Sequence, residues 1–201
     1  MVAWSLDALA TAGVPRAVVA VPAGHGAAAE AALESAAAAF PLGLALVEGG
    51  VTRSESVRRA LAAAGDVAAV VVHDAARPLV DPALFGATLD ALADADAAIA
   101  AARLTDTVKE AGADGVVVRT HDRSRLWAIQ TPQAFRVEVL RRALAAGADV
   151  LAQATDDAWL VERAGGTVRV VEGSPANFKI TTPHDLRLAA VLLGNADPEG
   201  A

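Results

Sequence analysis

Short apolar runs rich in β-branched residues alternate with longer alanine-rich segments along the chain. The runs predict strands at residues 17–21, 43–47, 67–72, 97–101 and 167–171. The segments between them predict helices at residues 27–39, 56–64, 82–93, 137–146 and 156–164, with a last helix over 183–193. Because several strands are apolar on both faces, the pattern predicts an α/β fold with a mostly parallel sheet.

Local signals indicate where several of these helices begin and end. Asp81 followed by Pro82 is typical of a helix start, as is Thr155 ahead of two aspartates, and Thr182 followed by Pro183 opens the last helix. Ser54 or Ser56 can cap the helix after the second strand, and Gly147 is expected to close the helix that begins near residue 137.

Residues 105–125 interrupt this alternation of strand and helix patterns because they are polar and rich in turn residues. Asp114 and Gly115, flanked by β-capable residues, predict a hairpin that projects from the sheet. Such an arm has little core of its own, so we expect it to pack on something else, such as a second subunit.

Composition and charge narrow the class of protein. A chain of 201 residues with this pattern is expected to form a single domain, residues 1–201. The formal net charge of −7 argues against nucleic-acid binding, and the sequence has neither a bilayer-spanning apolar run nor a secretory signal. Cysteine is absent, which excludes a cysteine nucleophile and favours a cytoplasmic location. Of 17 basic residues only Lys109 and Lys179 are lysines, so both are candidates for sites that need a compact ammonium.

The strongest candidate chemistry follows the strand at residues 67–72. His73, Asp74 and Arg77 stand at its carboxyl end, where open α/β sheets bind ligands. A carboxylate there suits hydrated Mg²⁺ bridging phosphates, and an arginine three residues later suits a phosphate. The alternative is an Asp-Arg surface pair of little consequence.

Other polar segments lie at the ends of predicted elements. Paired glycines at 49–50 would let a ligand approach the backbone closely. Trp127, between arginines and Thr131, could simply be a core aromatic. Asn177 and Lys179 are expected on a short strand before the last helix, where a half-buried lysine is costly unless it meets an anion.

Taken together and in order, these segments resemble the 2-C-methyl-D-erythritol 4-phosphate cytidylyltransferase family. The runs that carry the resemblance are VHDAARP, DTVK, QTPQ-x-F, TDDA and N-x-KITTP-x-DL. The resemblance implies a Rossmann-like nucleotidyltransferase with a dimerisation arm at residues 105–125, forming a homodimer. It also implies CTP as co-substrate, Mg²⁺ as cofactor, and transfer of a cytidylyl group to methylerythritol phosphate with release of pyrophosphate.

The resemblance also implies roles for individual residues. Gly50 and Ser56 match positions that contact cytosine, whereas Val51 replaces a polar residue of some members, which puts a side-chain contact there in doubt. Asp74 matches the carboxylate near the metal and ribose, and Lys179 matches the lysine at the reacting phosphates. The residues matching contacts to methylerythritol phosphate are Arg77, Thr107, Arg123, Thr131 and Thr155, some of them reaching in from a partner subunit.

One part of the family pattern has no counterpart in this sequence. Members open with a strand and a Gly-rich loop that cradles the CTP phosphates, whereas this sequence begins in what resembles the helix after that loop. We favour a misplaced start over a genuine truncation, and we expect the 201-residue chain to fold poorly and to transfer cytidylyl groups weakly. A cytidylyltransferase for another polyol phosphate, such as ribitol 5-phosphate, and an inactive dimerising paralogue are the alternatives.

Overall fold

The computed structural model describes residues 1–39 and 42–194, so residues 40–41 and 195–201 of the predicted domain lie outside the described part. The helices are α1 Val2–Thr11, α2 Gly26–Ala39, α3 Arg53–Ala63, α4 Ala83–Asp90, α5 Val137–Leu144, α6 Ala148–Gln153, α7 Asp157–Arg163 and α8 Pro183–Gly194. The strands are β1 Arg16–Val21, β2 Gly43–Glu48, β3 Ala69–Val72, β4 Ala97–Arg103, β5 Lys109–Ala111, β6 Val117–Thr120, β7 Trp127–Arg136 and β8 Val168–Glu172. None of the helices in the described part is long and apolar enough to cross a membrane.

The main sheet has the strand order β3-β7-β4-β8. In β4, six successive small or branched apolar residues are buried because helices cover both faces of the sheet. Its odd-numbered residue Ile99 packs with Phe135 and Leu140, and its even-numbered residue Ala100 packs with Phe85. This alternation is what a strand buried on both faces requires, and it confirms the predicted α/β class.

Strand β7 is the main difference from the predicted architecture. It runs antiparallel to both β3 and β4, whereas β4 and β8 are parallel. Its interior contains Gln130, Thr131, Pro132 and Gln133, so the apolar alternation that identifies a strand is interrupted. Because of these four polar or proline residues, the hydrophobic pattern does not predict β7 as a strand.

Strands β1 and β2 form a separate parallel pair. Helix α1 contributes to both cores, since Leu6 packs with Ala17 of β1 and Ala8 packs with Phe85. The described residues thus form three sheets: the four-stranded main sheet, this parallel pair, and the two-stranded sheet of β5 and β6.

Three local predictions are wrong. Helix α5 ends at Leu144 with Ala145 as its C-cap, and Gly147, with φ −61°, is instead the N-cap of α6. Residues 173–182 are a loop, because their backbone contacts go to scattered partners such as Ala76. Helix α3 is capped by Thr52, whose hydroxyl accepts from the Glu55 N–H, because helical residues begin at Arg53 and leave Ser54 and Ser56 inside.

The predicted arm is present as the antiparallel hairpin β5–β6 with a turn at Asp114 and Gly115. Gly115 has φ +80°, the left-handed conformation that a turn of this kind needs. Every residue of both strands is exposed, including Val117 and Val118, so none of the described residues provides the hairpin with a core.

Candidate active site

A tight turn follows β3 and carries the first two charged groups of the site. The Arg77 N–H donates to the Asp74 carbonyl at 2.9 Å, which closes the turn. One Arg77 guanidinium nitrogen donates to the Asn177 carbonyl at 2.7 Å, and another donates to the Ile129 carbonyl at 3.4 Å. The turn is therefore fastened to β7 and to the loop at residues 173–182.

Three cations surround the Asp74 carboxylate. Lys179 Nζ lies 2.9 Å from Asp74 Oδ2, Arg53 Nε lies 3.6 Å from Oδ1, and Arg77 Nε lies 4.0 Å from Oδ2. Burial alone would raise the pKa of the Asp74 carboxyl, but the three cations together hold that pKa below its ordinary value. The carboxylate is thus charged at neutral pH and lies in a cationic setting suited to phosphorylated ligands.

A bulge in β7 brings Thr131 to this centre. Ile99 is opposite Gln133 and Ala101 is opposite Ile129, so the three residues 130–132 face the single residue Ala100. Bulges commonly redirect side chains next to active sites. Here the Asp74 N–H donates to Thr131 Oγ1 at 3.0 Å, which links the bulge directly to the turn.

The loop at residues 173–182 holds Lys179 against the sheet. The Gln130 side chain donates to the Ser174 carbonyl at 2.9 Å, and the buried Asn177 amide donates to Gln130 Oε1 and to the Thr131 carbonyl. A Cβ at Gly173 would lie 2.9 Å from Gln130 Oε1, so a side chain there would displace the Gln130 amide from its hydrogen bond with Asn177. Lys179 itself keeps 43% of its side chain exposed, which leaves its ammonium accessible to a ligand.

The loop between β2 and α3 forms the proposed nucleotide side of the site. The Gly50 N–H donates to Ser56 Oγ, and the Ser56 hydroxyl donates to the Thr52 carbonyl. A Cβ at Gly50 would lie 2.3 Å from the Glu55 side chain, which explains the glycine in steric terms. Val51 is 96% exposed beside these groups.

Arg53, the first residue of α3, joins this loop to the Asp74 centre, and no local pattern in the sequence points to it. Besides Asp74 it contacts Asp157, whose Oδ2 lies 2.5 Å from Arg53 Nη1. The Asp157 side chain is fully buried, and its burial raises the pKa of the carboxyl although Arg53 opposes the shift. Asp157 sits at the start of α7, where the Asp156 side chain caps the helix and accepts from the Gln133 amide.

His73 is a second titratable group packed behind the turn. Its ring lies edge-on to Phe85 with the centroids 5.2 Å apart. Burial lowers the pKa of His73 to about 4, so the imidazole is neutral at physiological pH. A neutral, enclosed histidine is not placed to neutralise a phosphate.

Three predicted substrate contacts lie apart from this cluster. Thr107, Arg123 and Thr155 are exposed, and none has a hydrogen bond or ion pair with Asp74, Arg77 or Lys179 in the described part of the chain. Arg123 donates to the Thr105 carbonyl at the root of the arm. The second lysine, Lys109, donates to Thr120 across the hairpin at 2.8 Å and so has a partner within the arm.

A carboxylate, a lysine and two arginines at the carboxyl end of the half-buried strand β3 are typical of α/β enzymes that act on phosphorylated substrates. Comparison with known families gives a match over residues 1–195 to the model of 2-C-methyl-D-erythritol 4-phosphate cytidylyltransferase. The chain belongs to the 2-C-methyl-D-erythritol 4-phosphate cytidylyltransferase family. This is a family of nucleotidyltransferases that serve isoprenoid biosynthesis.

Individual relatives agree with the family match. The chain is 49% identical over 197 residues to the 2-C-methyl-D-erythritol 4-phosphate cytidylyltransferase of Nocardia farcinica, covering 96% of this chain and 81% of the relative. The relative of the same name from Parasynechococcus marenigrum is 49% identical over 73% of this chain and 66% of its own length. That second match leaves about a third of the relative outside it.

Solved structures confirm the predicted fold. The 4-diphosphocytidyl-2C-methyl-D-erythritol synthase of Anaerococcus prevotii has a TM-score of 0.85 and 29% identity, covering 96% of this chain and 88% of its own. The 2-C-methyl-D-erythritol 4-phosphate cytidylyltransferase of Thermus thermophilus has a TM-score of 0.76 and 35% identity, covering 94% and 86%. The predicted family, Rossmann-like nucleotidyltransferase fold and enzyme class are therefore confirmed, while the roles of the individual site residues stay predictions.

Proposed function

We propose that this chain transfers the cytidylyl group of CTP to 2-C-methyl-D-erythritol 4-phosphate at the centre formed by Asp74, Arg77 and Lys179. The observation that carries the proposal is the convergence of three cations on Asp74 at the end of β3, in a chain of this family. Two polyanions must meet in the reaction, and such a centre lowers their mutual repulsion.

The reaction asks for positioning and charge neutralisation. A phosphate oxygen of the acceptor attacks the α-phosphorus in line and forms the new P–O bond. The bond from that phosphorus to the oxygen bridging to the β-phosphate breaks, and pyrophosphate leaves with the electron pair. No covalent protein nucleophile is needed, so ammonium and guanidinium groups are the relevant chemistry.

Each residue of the site has a proposed role, which the family resemblance supplies and which the contacts of Lys179 support. Lys179 has three N–H donors and uses one on Asp74, so two are available for phosphate oxygens. Asp74 orients that ammonium and lies toward the metal and ribose in this proposal. Gly50 and Ser56 contact the cytosine, with their mutual hydrogen bond opening when the base binds. The acceptor contacts are Arg77, Thr107, Arg123, Thr131 and Thr155.

Mg²⁺ is part of the proposal. The protein would supply one carboxylate to the ion, and the substrate phosphates would supply further oxygen ligands. No group of three or more His, Cys, Asp or Glu side chains that could hold a metal occurs among residues 1–39 and 42–194. Mg²⁺ commonly binds one or two carboxylates together with substrate phosphates, so the single carboxylate of Asp74 is sufficient. Bound there, Mg²⁺ would supply additional neutralisation of the triphosphate charge.

The arm is proposed to form a homodimer that completes the acceptor site. Thr107 and Arg123 lie at its root, away from Asp74 of the same chain, and the exposed valines of the hairpin lack a core. Contact with a partner would bury the valines and bring both polar residues to the partner's centre. The absence of cysteine supports a cytoplasmic location for this assembly.

Light scattering on the purified chain tests the dimer. We expect a mass of twice 20.3 kDa for the native chain and a monomer for Val118→Asp, because a charge there opposes burial of the hairpin. Val67→Asp places the same charge on an exposed valine outside the arm and should remain dimeric. A monomeric native chain, or a dimeric Val118→Asp variant, would contradict the proposal.

An acceptor panel tests the reaction. With enzyme in excess over labelled CTP, we expect 4-diphosphocytidyl-2-C-methyl-D-erythritol and pyrophosphate with 2-C-methyl-D-erythritol 4-phosphate, and no nucleotide product with ribitol 5-phosphate. Single-turnover conditions detect slow transfer as well as fast transfer. Product formed only with ribitol 5-phosphate, or with neither acceptor, would contradict the proposed function.

A further inference from the structure

The loop at residues 173–182 carries Lys179 but has little apolar material to hold it in place. Among residues 173–182, all of which the structure describes, Asn177 is the only buried one, with 2% of its surface exposed. A buried amide stabilises a fold only when its hydrogen bonds are made, since an unpaired one is costly. The position of the loop therefore depends strongly on the partners of the Asn177 side chain.

Backbone carbonyls, which can only accept, fix the direction of the hydrogen bonds around Asn177. Gln130 Nε2 donates to the Ser174 carbonyl at 2.9 Å, so Gln130 Oε1 is the atom that faces Asn177. Asn177 Nδ2 donates to that oxygen at 3.1 Å and to the Thr131 carbonyl at 2.9 Å. Both donors of the Asn177 amide are thus committed to acceptors on the bulge of β7.

The backbone on either side of Lys179 is held as well. The Asn177 carbonyl, two residues before it, accepts from Arg77 Nη1 at 2.7 Å. The N–H of Ile180, one residue after it, donates to the Ala76 carbonyl at 2.8 Å. Lys179 therefore lies between two fixed points, and at one of them a single residue contacts both the bulge and the turn after β3.

We propose that Asn177 is a positioning residue, whose amide fixes the loop at residues 173–182 on the bulge of β7 and so sets where the Lys179 ammonium meets the reacting phosphates. Because Asn177 is buried, it acts through Lys179 and does not touch the substrate. Aspartate has nearly the same shape, but a charged aspartate would place an oxygen against the Gln130 and Thr131 oxygens. The part of this inference that concerns transfer rests on the proposed function.

Hydrogen exchange in the absence of substrate tests the anchoring of the loop. In Asn177→Asp, the Ile180 amide is expected to exchange at least about tenfold faster than in the native chain, because its bond to Ala76 depends on the position of the loop. Amides of β4 should keep their native rates, which shows that the fold is intact. Equal exchange of Ile180 in the two proteins would overturn the proposal whether or not the chain is active. Failure of the acceptor panel, in contrast, would overturn the proposed function and leave the exchange result unaffected.

Steady-state kinetics separates positioning from binding. Asn177→Asp is expected to lower kcat by about 10²-fold and to change KM for CTP and for the acceptor by less than about threefold, because a displaced ammonium no longer stabilises the charge that develops in the transition state. Gln153→Glu makes the same amide-to-carboxylate change at the exposed end of α6 and should leave kcat unchanged. A native kcat in Asn177→Asp, or a raised KM with unchanged kcat, would overturn the positioning role.

A double variant tests whether Asn177 acts through Lys179. Asn177→Asp combined with Lys179→Ala should be slower than Lys179→Ala by less than about threefold, since no ammonium remains to be positioned. Effects that multiply in the double variant would show that Asn177 acts by another route and would overturn the proposal. Should Asn177→Asp fail to fold, Asn177→Ala, which removes both donors without adding a charge, provides the same three comparisons.

Discussion

Lys179 and Lys109 are the two lysines of the chain, and the structure gives them different surroundings. Lys179 lies 2.9 Å from Asp74 at the end of the sheet, whereas Lys109 donates to Thr120 on the exposed arm. A compact ammonium suits the reacting phosphates better than a guanidinium, and an ammonium beside Asp74 is held in one place. The lysine at 179 is therefore the residue whose chemistry we expect to matter most.

Lys179→Ala should lower kcat by about 10²-fold or more, because one fixed donor to the developing charge is lost. Pyrophosphate release from CTP and methylerythritol phosphate is the measurement. Lys109→Ala removes an exposed lysine of the same type and is the matched control, with turnover close to that of the native chain. Near-normal turnover in Lys179→Ala would show that the ammonium plays no part in the transfer.

At the scale of single residues, the sequence predicts part of the candidate site but not all of it. Asp74, Arg77, Thr131 and Lys179 were predicted as site residues, and the structure brings them together. Arg53 went unnoticed because its partners, Asp74 and Asp157, are distant in sequence, and local periodicity carries no information on such pairs. Thr107 and Arg123 stand apart since an arm without a core depends on contacts beyond its own chain.

Among the elements, α3 and α7 are tied together by the Arg53 and Asp157 pair. Asp157 is fully buried with Oδ1 lacking a hydrogen-bond partner, so its charge depends on Arg53. The same arginine reaches Asp74, and in this way the packing of the two helices is coupled to the geometry of the site.

Arg53→Met should destabilise the fold by about 2 kcal/mol. The effect is smaller than for a fully enclosed pair because the Arg53 side chain is 37% exposed. Urea unfolding is the measurement, and Arg53→Met combined with Asp157→Leu should recover most of the loss, since no unpaired carboxylate remains. A double variant as unstable as the single one would refute the pairing.

This destabilisation should also depend on pH. Burial raises the folded-state pKa of Asp157, and Arg53 opposes this rise. In Arg53→Met that opposition is lost, so the pKa of Asp157 in the folded variant is higher than in the native chain. Protonation then favours the folded state, so the defect of Arg53→Met is largest at neutral pH and shrinks as pH falls through the raised pKa.

The start of α8 shows the opposite pH behaviour. Asp185 accepts from the N–H groups of Thr181 and Thr182, and these bonds lower its pKa to about 2. A depressed carboxyl pKa stabilises the fold above the unfolded-state value of about 4, and this contribution is lost as pH falls toward 2. The predicted start at Thr182 is confirmed, and Thr182 accepts in return from the Asp185 N–H.

Asp185→Asn should lower the urea midpoint at pH 7, and the difference from the native chain should disappear between about pH 4 and pH 2. Asp66→Asn, in the loop before β3, provides the matched control for loss of an exposed carboxylate. An equal deficit at pH 2 and pH 7 would mean that the capping carboxylate is not the source of the effect.

Among the elements, uninterrupted apolar runs predict strands correctly, whereas the interrupted run of β7 does not. The buried part of β4 consists of apolar residues throughout, so the sequence predicts this strand. Strand β7 contains the bulge at residues 130–132, and its polar side chains serve the site, which is the reason its pattern is broken.

Over the whole molecule, the main sheet and the β1–β2 pair differ in how many neighbours support each strand. In the described residues β4 pairs with both β7 and β8, whereas β1 pairs with β2. The interior residues of β4 are buried, while much of β1 and β2 is only half-buried. A two-stranded pair is marginally stable by itself, and the helices packed on it, α1, α2 and α3, must supply most of its support.

Native-state hydrogen exchange should therefore divide the chain into two units. Amides of β1 and β2 are expected to exchange through openings of lower free energy than those of β4 and β7, because fewer contacts must break to expose them. Urea added below the unfolding midpoint should lower the protection of both units, with β1 and β2 losing theirs first. Equal protection in the two sheets would instead mean that α1, through Leu6 and Ala8, couples them into one cooperative unit.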